Sequence, residues 1–125
     1  MTSLIGNFVN RVDFKSYKDF YDNFEFTVPK DFNFGFDIVD KIADEYPDKL
    51  AMLHLDVNKV ERRYTFKDMK RLSNQAVNYF ISLGIKRGDK VMLVLKRHYQ
   101  FWFCMVALHK LGAVAIPATN QLKEH

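Results

Sequence analysis

The sequence predicts an α/β fold: a parallel strand–helix–strand unit joined to a β-hairpin. Three observations carry that reading. Residues 84–118 run apolar strand, apolar helix, apolar strand, with glycine at Gly84, Gly88 and Gly112 marking the joints. The first of these strands is a continuous run, Val91-Met92-Leu93-Val94-Leu95, of the kind found where both faces of a parallel sheet are covered. Upstream, two short strand-like runs flank Val57-Asn58-Lys59, which reads as a turn.

The elements follow in order. Residues 1–33 form an aromatic arm in which Tyr17, Phe20, Tyr21 and Phe24 keep helical spacing. One short helix is predicted there, then extended chain through Val28-Pro29, because proline disfavours helix at the residue before it. The arm is too short for a core of its own. Residues 36–46 make the next helix, with Phe36, Val39, Ile42, Ala43 and Tyr46 on its apolar face, Asp37, Asp40 and Asp44 on a solvated one, and Pro47 as its stop.

Residues 50–55 and 60–64 pair as the hairpin. Thr65 caps the following helix, and Asp68 completes a capping box. Met69, Leu72, Ala76, Phe80 and Leu83 are its buried stripe, and Gly84 its left-handed cap. Arg87-Gly88-Asp89 turns into the strand over 90–95. Residues 99–111 are a helix that is apolar nearly all round, and 113–116 return as a parallel strand closed by Pro117. Leu122 onward opens another helix. A hairpin plus one parallel unit leaves sheet edges bare, which intact proteins cover or blunt. Residues 34–125 are therefore expected to be a partial subdomain, the N-terminal part of a longer protein.

Composition bounds the function. The 125 residues are 48% hydrophobic, with 12 phenylalanines and a net charge of +4. That composition fits one globular domain. Residues 1–50 hold 6 Lys/Arg against 10 Asp/Glu, a balance of −4, and residues 51–125 hold 13 against 5, a balance of +8. Cys104 is the single cysteine, so no disulfide closes within the chain, and a reducing compartment fits. The start has no basic segment followed by a long apolar run, so it is not a secretory signal. The apolar run 101–108 falls far short of the roughly 20 residues that span a bilayer. A cytoplasmic protein without a membrane span is expected. Oligomeric state is not legible.

Candidate chemistry is sparse. Neither GxGxxG nor GxxxxGK[ST] occurs, so no loop cradles phosphate. His54, His98, His109 and Cys104 have no metal-ligand spacing, and no metal site is expected in this chain. Cys104 lies within an apolar helix, where a thiol stays protonated, so it reads as structural. His54 reads as structural too. Lys96, Arg97 and His98 sit where a parallel strand gives way to a helix, the edge at which α/β proteins bind ligands. With Tyr99 and Trp102 they also allow a stand-alone nucleotide- or RNA-binding module. A third reading makes the aromatic arm a dock for a partner.

The segments 28–53 and 64–122 carry a resemblance. Thr65-Phe66 opens a helix that contains Asn74 and Ala76 and ends at Gly84. Lys86-x-Gly88-Asp89-x-Val91 follows, then the apolar helix and Gly112-Ala113-Val114-x-x-Pro117. In order and spacing these resemble the N-terminal region of the adenylate-forming (AMP-binding) acyl-CoA synthetases, acetyl/medium-chain branch. The resemblance implies an N-terminal subdomain fragment of that fold. It implies a parent enzyme that uses ATP, Mg²⁺ and coenzyme A on a small carboxylic acid, with no nucleic-acid partner. The family's phosphate loop, adenine segments, magnesium-linked acid and catalytic lysine lie downstream, so no catalytic residue maps here, and none of these cofactors is expected bound to this piece alone. One position carries over: the glutamine after the second strand, near the family's coenzyme A path, matches Gln121.

Overall fold

A computed structural model describes residues 4–96 and 98–123. The chain divides into two compact units, residues 1–32 and 33–125.

The first unit holds a 3₁₀ turn, Leu4–Asn7, and helix α1, Tyr17–Asn23. Ser16 caps α1 by accepting the Asp19 amide on its hydroxyl at 3.1 Å. The Asp19 carboxylate accepts the Lys15 amide and pairs with Arg11, which holds its carboxyl below the usual carboxylate range. Phe14, Phe20, Phe24 and Phe26 pack ring to ring with centroids 4.7–5.1 Å apart along the series. An antiparallel bridge, Val9 to Phe26, closes the unit, and Val9 is its one fully buried apolar residue among those described. Phenyl edges thus substitute for the aliphatic core that so short a segment lacks.

The second unit begins with a helix of two kinds. Asn33 caps it, its side-chain oxygen accepting the amides of Gly35 and Phe36 at 3.0 and 3.3 Å. Phe34–Asp40 is π-helical, and α2, Lys41–Glu45, continues it. The extra residue in each π turn moves the side chains off a 3.6-residue wheel. The expected faces change accordingly. Val39 and Ala43 are buried, whereas Phe36 and Tyr46 are exposed. Asp40, expected in solvent, is turned inward.

Strands β1, Leu50–Leu55, and β2, Glu61–Thr65, form the antiparallel hairpin. The Asp56 carboxylate builds its turn by accepting the Asn58 and Val60 amides, both at 2.9 Å. Helix α3, Phe66–Ser82, starts in the predicted capping box: Thr65 Oγ1 accepts the Asp68 amide and Asp68 accepts the Thr65 amide. That geometry lowers the Asp68 pKa, the Thr65 amide first among its causes. Met69 and Phe80 are buried as expected. Leu83 is not: it follows the last helical turn and is 59% exposed. Gly84 takes the left-handed φ of 83° that ends the helix.

Strand β3, Lys90–Leu93, helix α4, Gln100–Leu111, and strand β4, Val114–Pro117, form the strand–helix–strand unit. β3 and β4 pair in parallel, Lys90 with Val114 through Leu93 with Pro117. Helix α4 joins two clusters of the core. It gives Phe103 and Val106 to one with Val39 and Met69, and Ala107 and Leu108 to the other with Phe80 and Leu93. The expected double covering of β3 is absent in this unit, since Met92 is 57% exposed beside a buried Leu93. Helices cover one face of the pair only. The helix expected from Leu122 does not start within the described residues. Residues 122 and 123 are irregular, and the remainder of that expectation lies outside them. Among the described residues no helix is long and apolar enough to cross a membrane.

Helix α4 is less uniformly apolar than its sequence suggests. Trp102 is 56% exposed, and Lys110 is buried with its side chain 1% exposed. The Lys110 ammonium donates to Asp40 at 2.7 Å, Ser73 Oγ at 2.9 Å and Asn74 Oδ1 at 2.8 Å, which uses all three of its N–H groups. The network ties the π-helical turn to α3 and α4. Gly35 is required beside it, because a Cβ there would overlap the Lys110 stem.

Candidate functional site

The described cleft is an open one of about 750 Å³ at the carboxyl ends of β3 and β4, beside the tip of the hairpin. Residues 54–57 form one wall, Lys96 and His98 a second, and residues 118–121 the third. Its position follows from the topology, since parallel strands deliver their carboxyl ends, and the loops after them, to one edge.

Each wall has its own local cause. At the hairpin tip, Arg62 donates to Asp56 at 2.9 Å. That hydrogen bond, with the Val60 and Asn58 amides, holds the Asp56 carboxyl below the usual carboxylate range and raises the Arg62 guanidinium. In the β3–α4 loop, Lys96 sits at φ 40°, a left-handed conformation uncommon for a side chain with a Cβ. The His98 amide then bonds the Leu95 carbonyl at 3.0 Å and turns the chain towards α4. In the third wall, the Ala118 amide reaches Leu93 O at 3.0 Å, extending the parallel pairing by one rung. The Gln121 amide then donates to Thr119 Oγ1 at 3.2 Å, leaving the Gln121 side chain exposed.

Three of the residues singled out in the sequence therefore meet: Lys96, His98 and Gln121 share the cleft. Arg97 lies outside the described residues. Tyr99 and Trp102 do not join to make an exposed stacking platform. Tyr99 is half-buried and stacked on Tyr64 at 5.3 Å, while Trp102 lies edge-on to Phe101 and does not line the cleft. Burial, with Tyr99 close by, pushes the Tyr64 phenol up. Asp56 and His54 were not legible as cleft residues, because only the hairpin register brings them to this edge. His54 packs edge-on against Tyr99 with centroids 5.3 Å apart. Cys104 is half-buried within α4, and burial pushes its thiol up, as expected for a structural cysteine.

The cleft offers a cation, a carboxylate, two imidazoles, a hydroxyl and two carboxamides, without a nucleophile paired to a base among the described residues. Among the described residues no group of three or more His, Cys, Asp or Glu is placed to hold a metal ion. The carboxamides of Asn120 and Gln121 suit a ligand that carries amide groups, and Lys96 suits one that carries phosphate. Nothing among the described residues resembles a glycine-rich cradle for a triphosphate.

Comparison with known proteins places this arrangement. Acyl-coenzyme A synthetase ACSM3, mitochondrial, from Homo sapiens is 30% identical over 118 residues, covering 90% of this chain and 20% of its own length. A crotonobetaine/carnitine–CoA ligase from Escherichia coli is 36% identical over 83 residues, covering 66% of this chain and 16% of its own. Among solved structures, a Mycobacterium tuberculosis fatty acyl CoA synthetase superposes with a TM-score of 0.64 at 29% identity, covering 72% of this chain and 17% of that one. The N-terminal domain of FACL13 from the same organism gives 0.65 at 30% identity, over 73% of this chain and 22% of that one. The chain thus spans about a fifth of the length of the curated relatives it matches. The family model described as AMP-binding enzyme matches from residue 39 to residue 125, taking in both sheets, α3, α4 and the cleft, and the chain belongs to that family.

Proposed function

We propose that the chain is the N-terminal scaffold of an acyl-CoA synthetase of the acetyl/medium-chain type. The whole enzyme joins a small carboxylic acid to coenzyme A, in the cytoplasm, as part of fatty acid metabolism. The observation that carries this reading is the family match over 39–125, with relatives named as acyl-CoA synthetases or ligases. In the whole enzyme the carboxylate attacks the α-phosphorus of ATP and displaces pyrophosphate. The coenzyme A thiol then attacks the acyl carbonyl, and AMP leaves. Mg²⁺, if bound by the rest of the enzyme, would supply charge to offset the phosphates. Residues 34–125 supply packing and one edge of the site, residues 1–33 an aromatic arm, and Gln121 a contact to coenzyme A. The described residues hold no nucleophile–base pair and the sequence no phosphate loop, so this piece turns over nothing alone.

The test is a titration. Coenzyme A added to the isotopically labelled 125-residue chain shifts the side-chain amide signals of Gln121 and Asn120. Signals that stay fixed at millimolar coenzyme A remove the Gln121 assignment. Pyrophosphate release from ATP, Mg²⁺ and a short- or medium-chain acid by this chain alone defeats the scaffold reading.

A further inference from the structure

We infer that Tyr99 is the positioning residue of the cleft, fixing the hairpin wall against the wall formed by the β3–α4 loop. The inference rests, for its ligand, on the coenzyme A reading of Gln121. Its geometry stands apart from that reading.

The two walls belong to different sheets. Among the described residues β1 pairs only with β2, and β3 only with β4. No strand ladder among them spans the cleft, so its width is set by side chains. Tyr99 is the ring at that junction. It directly follows His98 in the loop wall, just before α4 begins. Three hairpin side chains close on it. His54 meets it edge-on at 5.3 Å and 71°, and Tyr64 stacks on it at 5.3 Å and 29°. The Arg62 guanidinium lies 5.7 Å from its centroid.

Two of these partners lead straight into the opposing wall. His54 is itself a cleft residue, and Arg62 holds the Asp56 carboxylate that forms the hairpin tip. On its own helix Tyr99 is braced by Phe103 at 6.0 Å, a member of the buried core. A movement of the ring therefore shifts the tip of the hairpin relative to Lys96, His98 and Gln121. An aliphatic residue at 99 keeps the apolar contact with Phe103 but loses the stacking face, the cation–π contact and the hydroxyl.

The test has two readouts on the full chain. The first needs no ligand. Spin labels on Val57→Cys and His98→Cys, in a Cys104→Ala background, report the separation of the two walls. Tyr99→Phe keeps the wild-type distance and width, and Tyr99→Leu broadens the distribution. An unchanged distribution in Tyr99→Leu overturns the inference. The second is coenzyme A affinity, measured well below every melting temperature. Tyr99→Phe stays within about twofold of wild type and Tyr99→Leu weakens binding about tenfold. Val106→Ala, a core truncation on α4 that does not line the cleft, leaves affinity unchanged. Equal weakening by Val106→Ala and Tyr99→Leu makes Tyr99 an ordinary stabilising residue and overturns the inference. If the wild-type chain binds no coenzyme A, the Gln121 reading falls while the label distances still decide Tyr99.

Discussion

Lys110 and Lys96 flank opposite ends of α4 and live in opposite environments. Lys110 is withdrawn from water and meets three acceptors at 2.7–2.9 Å. Lys96 is exposed at the cleft on an unfavourable backbone conformation, with no ion pair among the described residues. A buried ammonium is tolerable only when it is paired and fully hydrogen-bonded, and then it fixes the elements that supply its partners. An exposed one adds little to stability and keeps its hydrogen-bonding capacity for something else. One side of the unit is therefore built for permanence. The strand-end side leaves its polar groups facing an open cleft.

The largest effect expected from breaking this contrast is at Lys110. Lys110→Met removes the charge but keeps the stem, and strands Asp40 with its side chain 12% exposed. Losing one member of a buried pair costs about 3–5 kcal/mol. Urea unfolding of the chain measures this, and adding Asp40→Leu restores a good part of the loss. A Lys110→Met variant as stable as wild type shows the network to be incidental.

Gly35→Ala comes next. The new Cβ collides with the Lys110 stem, so the π-helical turn or the lysine must shift, at about 1–3 kcal/mol. The same unfolding measurement checks it, and a loss in Gly35→Ala that persists unchanged in a Lys110→Ala background, which lacks the stem, separates backbone cost from collision. The smallest effect is at Lys96. Lys96→Gly relieves the left-handed backbone and raises stability by up to about 1 kcal/mol. A substitution that stabilises the chain while weakening coenzyme A binding marks the residue as kept for function.

Much of the fold was legible because its signals are local. The Thr65–Asp68 capping box, the left-handed Gly84 and Gly112, and the continuous apolar strand each act within a few residues. Lys96 was singled out through the rule for strand ends, and Gln121 only through the family resemblance. The Asp40–Lys110 pair was missed, since seventy positions separate its members and neither neighbourhood names the other. Asp40 was put on the wrong face because a π turn breaks the period on which helical faces are assigned. His54 and Asp56 became cleft residues only through hairpin register and the packing around Tyr99. The open face of β3 was misread because the run Val91–Leu95 carries the apolar pattern of a fully covered strand, whereas helices cover only one side here.

Cys104 carries a practical consequence. It is the chain's single thiol, it sits half-buried on the helix that joins both core clusters, and burial keeps it protonated. Alkylating reagents attack thiolate, so the partly covered sulfur reacts slowly in the folded chain and faster when the helix loosens. The rate of labelling at this one sulfur is thus a native clock for opening of the central helix. It needs no added probe, and it would run faster whenever the surrounding layers fail to close.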